Sequence, residues 1–188
     1  FWIKALLVEK EGRRRMSSKE IPLTQGKVAI VDEEDFDRLN KHKWYACKNG
    51  NTFYALRKSN VNGKRLTILM HREILGLKPG DPGVDHRDGN GLNNRRKNLR
   101  LASHEQNGMN RRRNKNGTSR FKGVYWEKNH RKWHVRIKFG GKYVHIGYFD
   151  SEEDAARAYD EKAKELFGEF ARLNKVGEDD GRKAEDQF

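Results

Sequence analysis

The chain has 188 residues, enough for one domain or two small ones, but only 34% are hydrophobic, too few for one large core. Its 41 Lys and Arg against 27 Asp and Glu give a formal net charge of +14, which points to a polyanionic partner, nucleic acid before anionic membrane. The single cysteine, Cys47, excludes an internal disulfide and a cysteine-rich zinc site, and no apolar run approaches the roughly 20 residues that span a bilayer.

The apolar opening, Phe1-Trp2-Ile3-Lys4-Ala5-Leu6-Leu7-Val8, is short and lacks a basic leader and a small-residue cleavage site, so it is not read as a signal peptide. Met16 follows Gly12-Arg13-Arg14-Arg15, and residues 1–15 are expected to be a tail or upstream remnant ahead of a natural start at Met16. Residues 16–70 read as β-rich. Lys27-Val28-Ala29-Ile30-Val31 predicts a strand, and residues 32–39 an acid-capped helical turn or two with Phe36 and Leu39 on one side. Residues 44–48 and 52–57 predict strands joined across Asn49-Gly50, and Asn62-Gly63 a turn before a strand at 65–70. Residues 71–75 predict a short helix ended by Gly76, Pro79 and Gly80.

Val84-Asp85-His86 then predicts a short strand, Asp88-Gly89-Asn90-Gly91 a turn, and Leu99-Arg100-Leu101 the returning strand. Ser103-His104-Glu105-Gln106 is a capping-box pattern that starts a helix. The result is a β-β-α unit with a long Asn- and Arg-rich loop. Such a unit can cut a phosphodiester. A divalent cation held by one carboxylate and one amide polarises the phosphate and stabilises the leaving oxygen, while a neighbouring histidine activates water. Hard cations keep several waters, so two protein ligands suffice. Adjacent residues on a strand point to opposite faces, so Asp85 and His86 share a site only if a bulge or the strand end re-aims one of them.

Arg111 to Thr118 is basic and Gly-containing and reads as a linker, centred on 114–118. Beyond it, residues 122–126, 132–139 and 142–146 predict strands, with Asn129-His130-Arg131 and Gly140-Gly141 as turns. In the second strand Trp133, Val135, Ile137 and Phe139 face one way and His134, Arg136 and Lys138 the other; in the third, Val144 and Ile146 oppose Tyr143 and His145. Trp126 is expected in the core. Ser151 caps a helix carrying Ala155, Ala156, Ala158, Tyr159 and Ala163, and residues 176–188 are expected to be a disordered tail. The fold class is α+β: a β-rich N-terminal segment, a β-β-α nuclease unit, then a three-stranded antiparallel sheet packed on one helix.

Residues 71–113 resemble the HNH endonucleases of the phage and intron homing branch. The resemblance rests on His71-Arg72, Val84-Asp85-His86, Asp88-Gly89-Asn90, Asn93-Asn94-Arg95, Asn98-Leu99-Arg100 and Asn107. It implies a β-β-α-metal fold with Asp85 as a metal ligand, His86 as general base, Asn98 holding the loop through backbone hydrogen bonds, and Asn107 as second metal ligand. His104 and Asn110 are the alternatives to Asn107. His71 is either a ligand or, preferably, an anchor of its helix. Arg95, Arg96 and Arg100 are expected to meet phosphates. The cation implied is magnesium, with manganese as the alternative, and no structural zinc is expected.

Residues 119–175 resemble the Apetala-two/ethylene-response-factor DNA-binding domain, on Lys122-Gly123-Val124, residues 133–138, Val144-His145-Ile146-Gly147-Tyr148-Phe149, residues 152–160 and Leu173-Asn174. This implies a sheet laid in the major groove, with Lys122, Tyr125, Glu127, Arg136, Lys138, Tyr143 and His145 facing DNA. Glu127 reverses a charge relative to the plant pattern, so the plant target sequence does not transfer. Residues 16–70 resemble the N-terminal part of the same homing proteins and are expected to add DNA contacts. Together these imply a site-specific, metal-dependent, homing-type endonuclease of a mobile element or phage. It would act on double-stranded DNA in the cytoplasm of a bacterial or infected cell, nicking as a monomer rather than cutting as a dimer. The rival readings are a non-catalytic DNA-binding regulator on an HNH scaffold and an RNA-directed role.

Overall fold

A computed structural model describes residues 17–61, 63–113 and 117–177. The expected remnant at 1–15, the start at Met16, Asn62 of the second turn, residues 114–116 of the linker and residues 178–188 of the tail lie outside the described residues. The chain divides into two compact units, Phe1–Ala102 and Ser103–Phe188.

In the first unit, strands β1 (Ser18–Pro22) and β2 (Val28–Asp32) form an antiparallel hairpin. Helix α1 (Glu33–Leu39) follows, then the antiparallel meander β3 (Tyr45–Asn49), β4 (Thr52–Val61) and β5 (Lys64–Leu69). Helix α2 (Met70–Ile74) leads to a second hairpin, β6 (Gly83–His86) and β7 (Leu99–Ala102). Ile21, Ala29, Val31, Leu39, Trp44, Ala55, Met70, Ile74 and Leu99 close one core. Burying each of the larger side chains contributes about 1.5–3 kcal/mol. The indole of Trp44 donates to the Leu39 carbonyl at 2.9 Å, so its polar atom is satisfied inside the core. Because Leu99 shares this core with the N-terminal strands, the described residues up to Met70 and the β6–β7 hairpin form one body.

The long loop between β6 and β7 is fastened to β2. Ile30 N–H donates to the Leu92 carbonyl at 2.9 Å, and Asn94 N–H donates to the Ile30 carbonyl at 2.7 Å. Asp32 stands at the N-cap of α1 without capping it. Its carboxylate instead accepts from Arg95 Nε at 3.1 Å and the Arg96 N–H at 2.7 Å. Arg72 holds the 78–82 turn by donating to the carbonyls of Lys78 (2.6 Å) and Pro82 (2.9 Å).

In the second unit, α3 (His104–Met109) begins with the expected capping box: Ser103 Oγ accepts from Gln106 N–H at 3.1 Å, and Gln106 Oε1 accepts from Ser103 N–H at 2.8 Å. Strands β8 (Val124–Glu127), β9 (Lys132–Phe139) and β10 (Lys142–Phe149) form an antiparallel sheet in the order β10-β9-β8. Helix α4 (Glu152–Phe167) buries Ala155, Tyr159, Ala163 and Phe167, a stripe at four-residue spacing, on that sheet. Asn174 fastens the chain end: its N–H donates to Asp160, and its side chain bridges to the Lys122 backbone in both directions. Val176 packs on this core, so the module reaches one residue into the expected tail.

Two sequence expectations change. Trp126 is exposed: it stands on the edge strand β8, paired with Trp133 and set edge-on to its ring, and it is not among the residues of the core under α4. Strand β10 runs to Phe149 rather than ending at Ile146, through a bulge between His145 and Gly147. No helix among the described residues is long and apolar enough to cross a membrane.

Candidate nuclease site and nucleic-acid interface

Asp85 and His86 lie on a regular stretch of ladder, paired with Arg100 and Leu99 respectively, with no bulge between them. Their side chains accordingly have different surroundings. The buried carboxylate of Asp85 accepts from Arg100 Nε at 2.8 Å and NH2 at 2.6 Å. Such a charge-assisted pair satisfies the carboxylate inside the protein. His86, at the strand end, is also buried and sits in an aromatic corner: its ring lies 5.1 Å from His71 and 5.7 Å from Tyr54, both edge-on.

His86 Nε2 lies 3.2 Å from Asn94 Oδ1, while Asn94 Nδ2 donates to the Leu92 carbonyl. With its amide nitrogen so engaged, Asn94 offers His86 an acceptor, so Nε2 carries the proton and the lone pair rests on Nδ1. Burial lowers the His86 pKa, and the Asn94 bond, Asp88 and Asp85 only partly offset that, so the imidazole is neutral at pH 7. His71 is pushed down to about 3 by burial, then by His86 and Arg72, and its Nδ1 has no hydrogen-bond partner.

Asn98 ties the loop together. It accepts from the Asp88 N–H at 3.1 Å and donates to the Asn93 carbonyl at 2.7 Å and to Asp88 Oδ1 at 3.0 Å. Asp88 Oδ2 takes the Asn93 amide at 2.7 Å, which closes the network. Asn107 lies half-buried on α3, whereas Asn110 is buried and His104 exposed. Arg95, Arg96 and Arg100 have internal partners: Asp32, Asp35 and Asp85. These arginines fasten the hairpin and its loop, because three buried carboxylates each require a cation or several donors. Among the described residues no three His, Cys, Asp or Glu side chains gather around one point.

In the second unit the alternation of β9 puts Val135 and Ile137 under α4 and leaves His134, Arg136 and Lys138 on the opposite face. The guanidinium of Arg136 is held over the rings of Tyr125 (4.8 Å) and Tyr143 (4.5 Å), and its Nε has no hydrogen-bond partner. Lys138 lies 5.9 Å from the Tyr143 ring. His145 Nδ1 is 2.9 Å from His134 Nε2, and Tyr148 stacks on both His134 (5.0 Å) and His130 (4.5 Å). Of the expected DNA-facing residues, the structure gathers Tyr125, Arg136, Lys138, Tyr143 and His145 on this face. Glu127 lies farther along β8, where its carboxylate accepts from the Asn129 N–H at 3.3 Å. Lys122 departs from the expectation: its ammonium turns inward to the Met109 carbonyl, and burial lowers its pKa to about 8.

Two features escaped the sequence reading. Asn94 is fully buried and orients His86, but one Asn in an Asn-rich loop carries no signal of burial. Tyr148 joins the polar face because the bulge shifts the alternation by one residue. Gly147 in mid-strand was the available sign.

The β6–β7 hairpin that carries Asp85 and His86, followed along the chain by α3 and then by a three-stranded sheet on a helix, defines the class. Residues 70–109 match the model of the HNH endonuclease family and residues 119–169 that of the AP2 domain. The chain belongs to the HNH endonucleases and carries an AP2 domain behind the nuclease motif. Among individual proteins, an uncharacterized HNH endonuclease of Acanthamoeba polyphaga mimivirus is 36% identical over 155 residues, 81% of this chain and 77% of that one. Protein 3.8 of Escherichia phage T7 is 38% identical over 90 residues, 48% of this chain and 74% of that one. An ethylene-responsive transcription factor of Arabidopsis thaliana is 38% identical over 60 residues, 31% of this chain and 14% of its own length. No solved structure gives a significant match.

Proposed function

We propose that this chain is a site-specific, metal-dependent, homing-type DNA endonuclease that nicks double-stranded DNA as a monomer in the cytoplasm of a bacterial or phage-infected cell. The observation that carries the reading is the state of His86: a neutral imidazole whose Nε2–H is held by Asn94, leaving Nδ1 able to take a proton. A histidine in that state is a general base, and Asp85, next in the strand, supplies a buried carboxylate.

HNH nucleases generally use a divalent metal, and the donor set here suits a hard cation. Asp85 would supply the carboxylate oxygen and Asn107 the amide oxygen, with water completing the shell, and magnesium is the ion proposed. When bound, the cation supplies Lewis-acid stabilisation of the phosphate and of the leaving oxygen. His86 Nδ1 removes a proton from water, the oxygen attacks phosphorus, the bond to O3′ breaks, and O3′ takes a proton from solvent water, leaving a 3′-hydroxyl and a 5′-phosphate. Asn98 keeps the loop closed so that Asn94 stays under His86. Tyr125, Arg136, Lys138, Tyr143 and His145 supply the DNA-reading face.

The test is to incubate wild type and His86→Ala with a randomised duplex library and magnesium, then sequence new 5′ ends strand by strand. Ends at one motif, on one strand, from wild type alone are expected. If neither protein yields ends while both retain one shared motif on pull-down, the chain is a DNA-binding regulator on an HNH scaffold.

A further inference from the structure

Helix α3 belongs to the nuclease by sequence and to the reader by packing. The HNH match runs to residue 109 and includes Asn107, yet the compact division of the chain falls before it, at Ala102 and Ser103. Within the second unit α3 is bound to the AP2 module at both ends. At its start, Glu105 Oε1 accepts the N–H of Gly140, in the β9–β10 turn, at 2.8 Å. At its end, Met109 packs on the AP2 core and its carbonyl accepts from the half-buried Lys122 ammonium. A cavity of about 460 Å³ lies between them, lined by His104, Glu105 and Gly108 on one side and by Arg136, Lys138 and Tyr143 of the reading face on the other. The helix therefore borders the face proposed to read DNA.

We infer that the AP2 module carries α3, so that Asn107 is held at a fixed, short offset from the recognised motif. This rests on the reading of Asn107 as a metal ligand. Glu105, Met109 and Lys122 are then positioning residues for Asn107. A flexible tether predicts the opposite: its reach, and hence the offset, grows with its length.

The experiment inserts eight Gly/Ser residues between Asn114 and Lys115 of the full chain. Such an insertion adds a reach of up to about 27 Å, or about 8 base pairs at 3.4 Å per step. The position of α3 on target DNA is mapped without relying on nuclease activity. An iron chelate that releases hydroxyl radicals is attached through Asn107→Cys in a Cys47→Ser background, and its strand breaks are located relative to the bound motif. The expected result is one cluster of breaks at the same offset, within about one base pair, with and without the insertion, and a wider spread in Glu105→Ala/Met109→Ser. Breaks that shift or spread with the insertion, or that are diffuse from the start, overturn the inference. Sharp, insertion-independent probe breaks from a protein whose wild type never cuts would sustain the docking and remove the nuclease reading instead.

Discussion

His71 carries the thermodynamic signature of a buried imidazole. It is buried between Tyr54 and His86, and its pKa falls from 6.5 to about 3, chiefly through burial. The folded pKa lies below the unfolded one, so between these values the unfolded chain binds a proton that the native chain refuses. Stability is therefore full above about pH 6.5 and declines as pH falls, by up to about 2–3 kcal/mol from this residue at pH 4.5. His86 acts in the same direction. Urea unfolding of wild type and His71→Phe at pH 7.5 and 4.5 measures this. The variant should lose clearly less stability on acidification, and equal losses would remove His71 as the source.

At the scale of elements, the loop between β6 and β7 is the part that decides the site. It is pinned by Asn98, by the bonds to β2, and by a close approach of Gly91 to β4. The Gly91 N–H donates to Thr52 Oγ1 at 3.0 Å, and a Cβ at Gly91 would meet the Phe53 carbonyl oxygen at 2.5 Å and the Tyr54 ring at 2.7 Å. A backbone carbonyl cannot yield, so Gly91→Ala must lift the loop from β4 and disturb Tyr54, which flanks His86. The expected cost is about 1–3 kcal/mol, as for overpacking elsewhere. Cleavage should fall at least about tenfold, the price of moving a base by a fraction of an ångström. Thermal melting and single-turnover cleavage check this, and a variant unchanged in both would show that the close approach is relieved without moving the site.

At the scale of the whole molecule, the net charge of +14 attracts DNA of any sequence, while discrimination needs donors aimed at base edges. Arg136 is the strongest candidate, because the rings of Tyr125 and Tyr143 hold its guanidinium in place before DNA arrives. Arg136→Ala should weaken binding to the target by about 1–3 kcal/mol and binding to random duplex by much less. Competition titrations at fixed salt distinguish the cases. Equal losses on both DNAs would make Arg136 a phosphate contact, and no loss on either would move the reading face elsewhere.

Local pattern made much of this legible in the sequence. The capping box at Ser103, the strand alternation of 132–139, the Asp85-His86 pair and the loop-holding Asn98 are features of neighbouring residues, and backbone periodicity expresses them directly. Partnership was not legible. Arg95, Arg96, Arg100 and Lys122 read as free cations, and each has an internal partner supplied by residues far along the chain or by a carbonyl of another element. Asn94 reads as a loop residue and is buried under His86, and α3 reads as nuclease yet packs on the reader. Residue types and spacing fix which chemistry a segment can perform. Which charges remain for DNA, which nitrogen of His86 holds the proton, and which body carries α3 depend on burial. Burial is decided only when distant segments close around one another and unpaired polar groups must find partners.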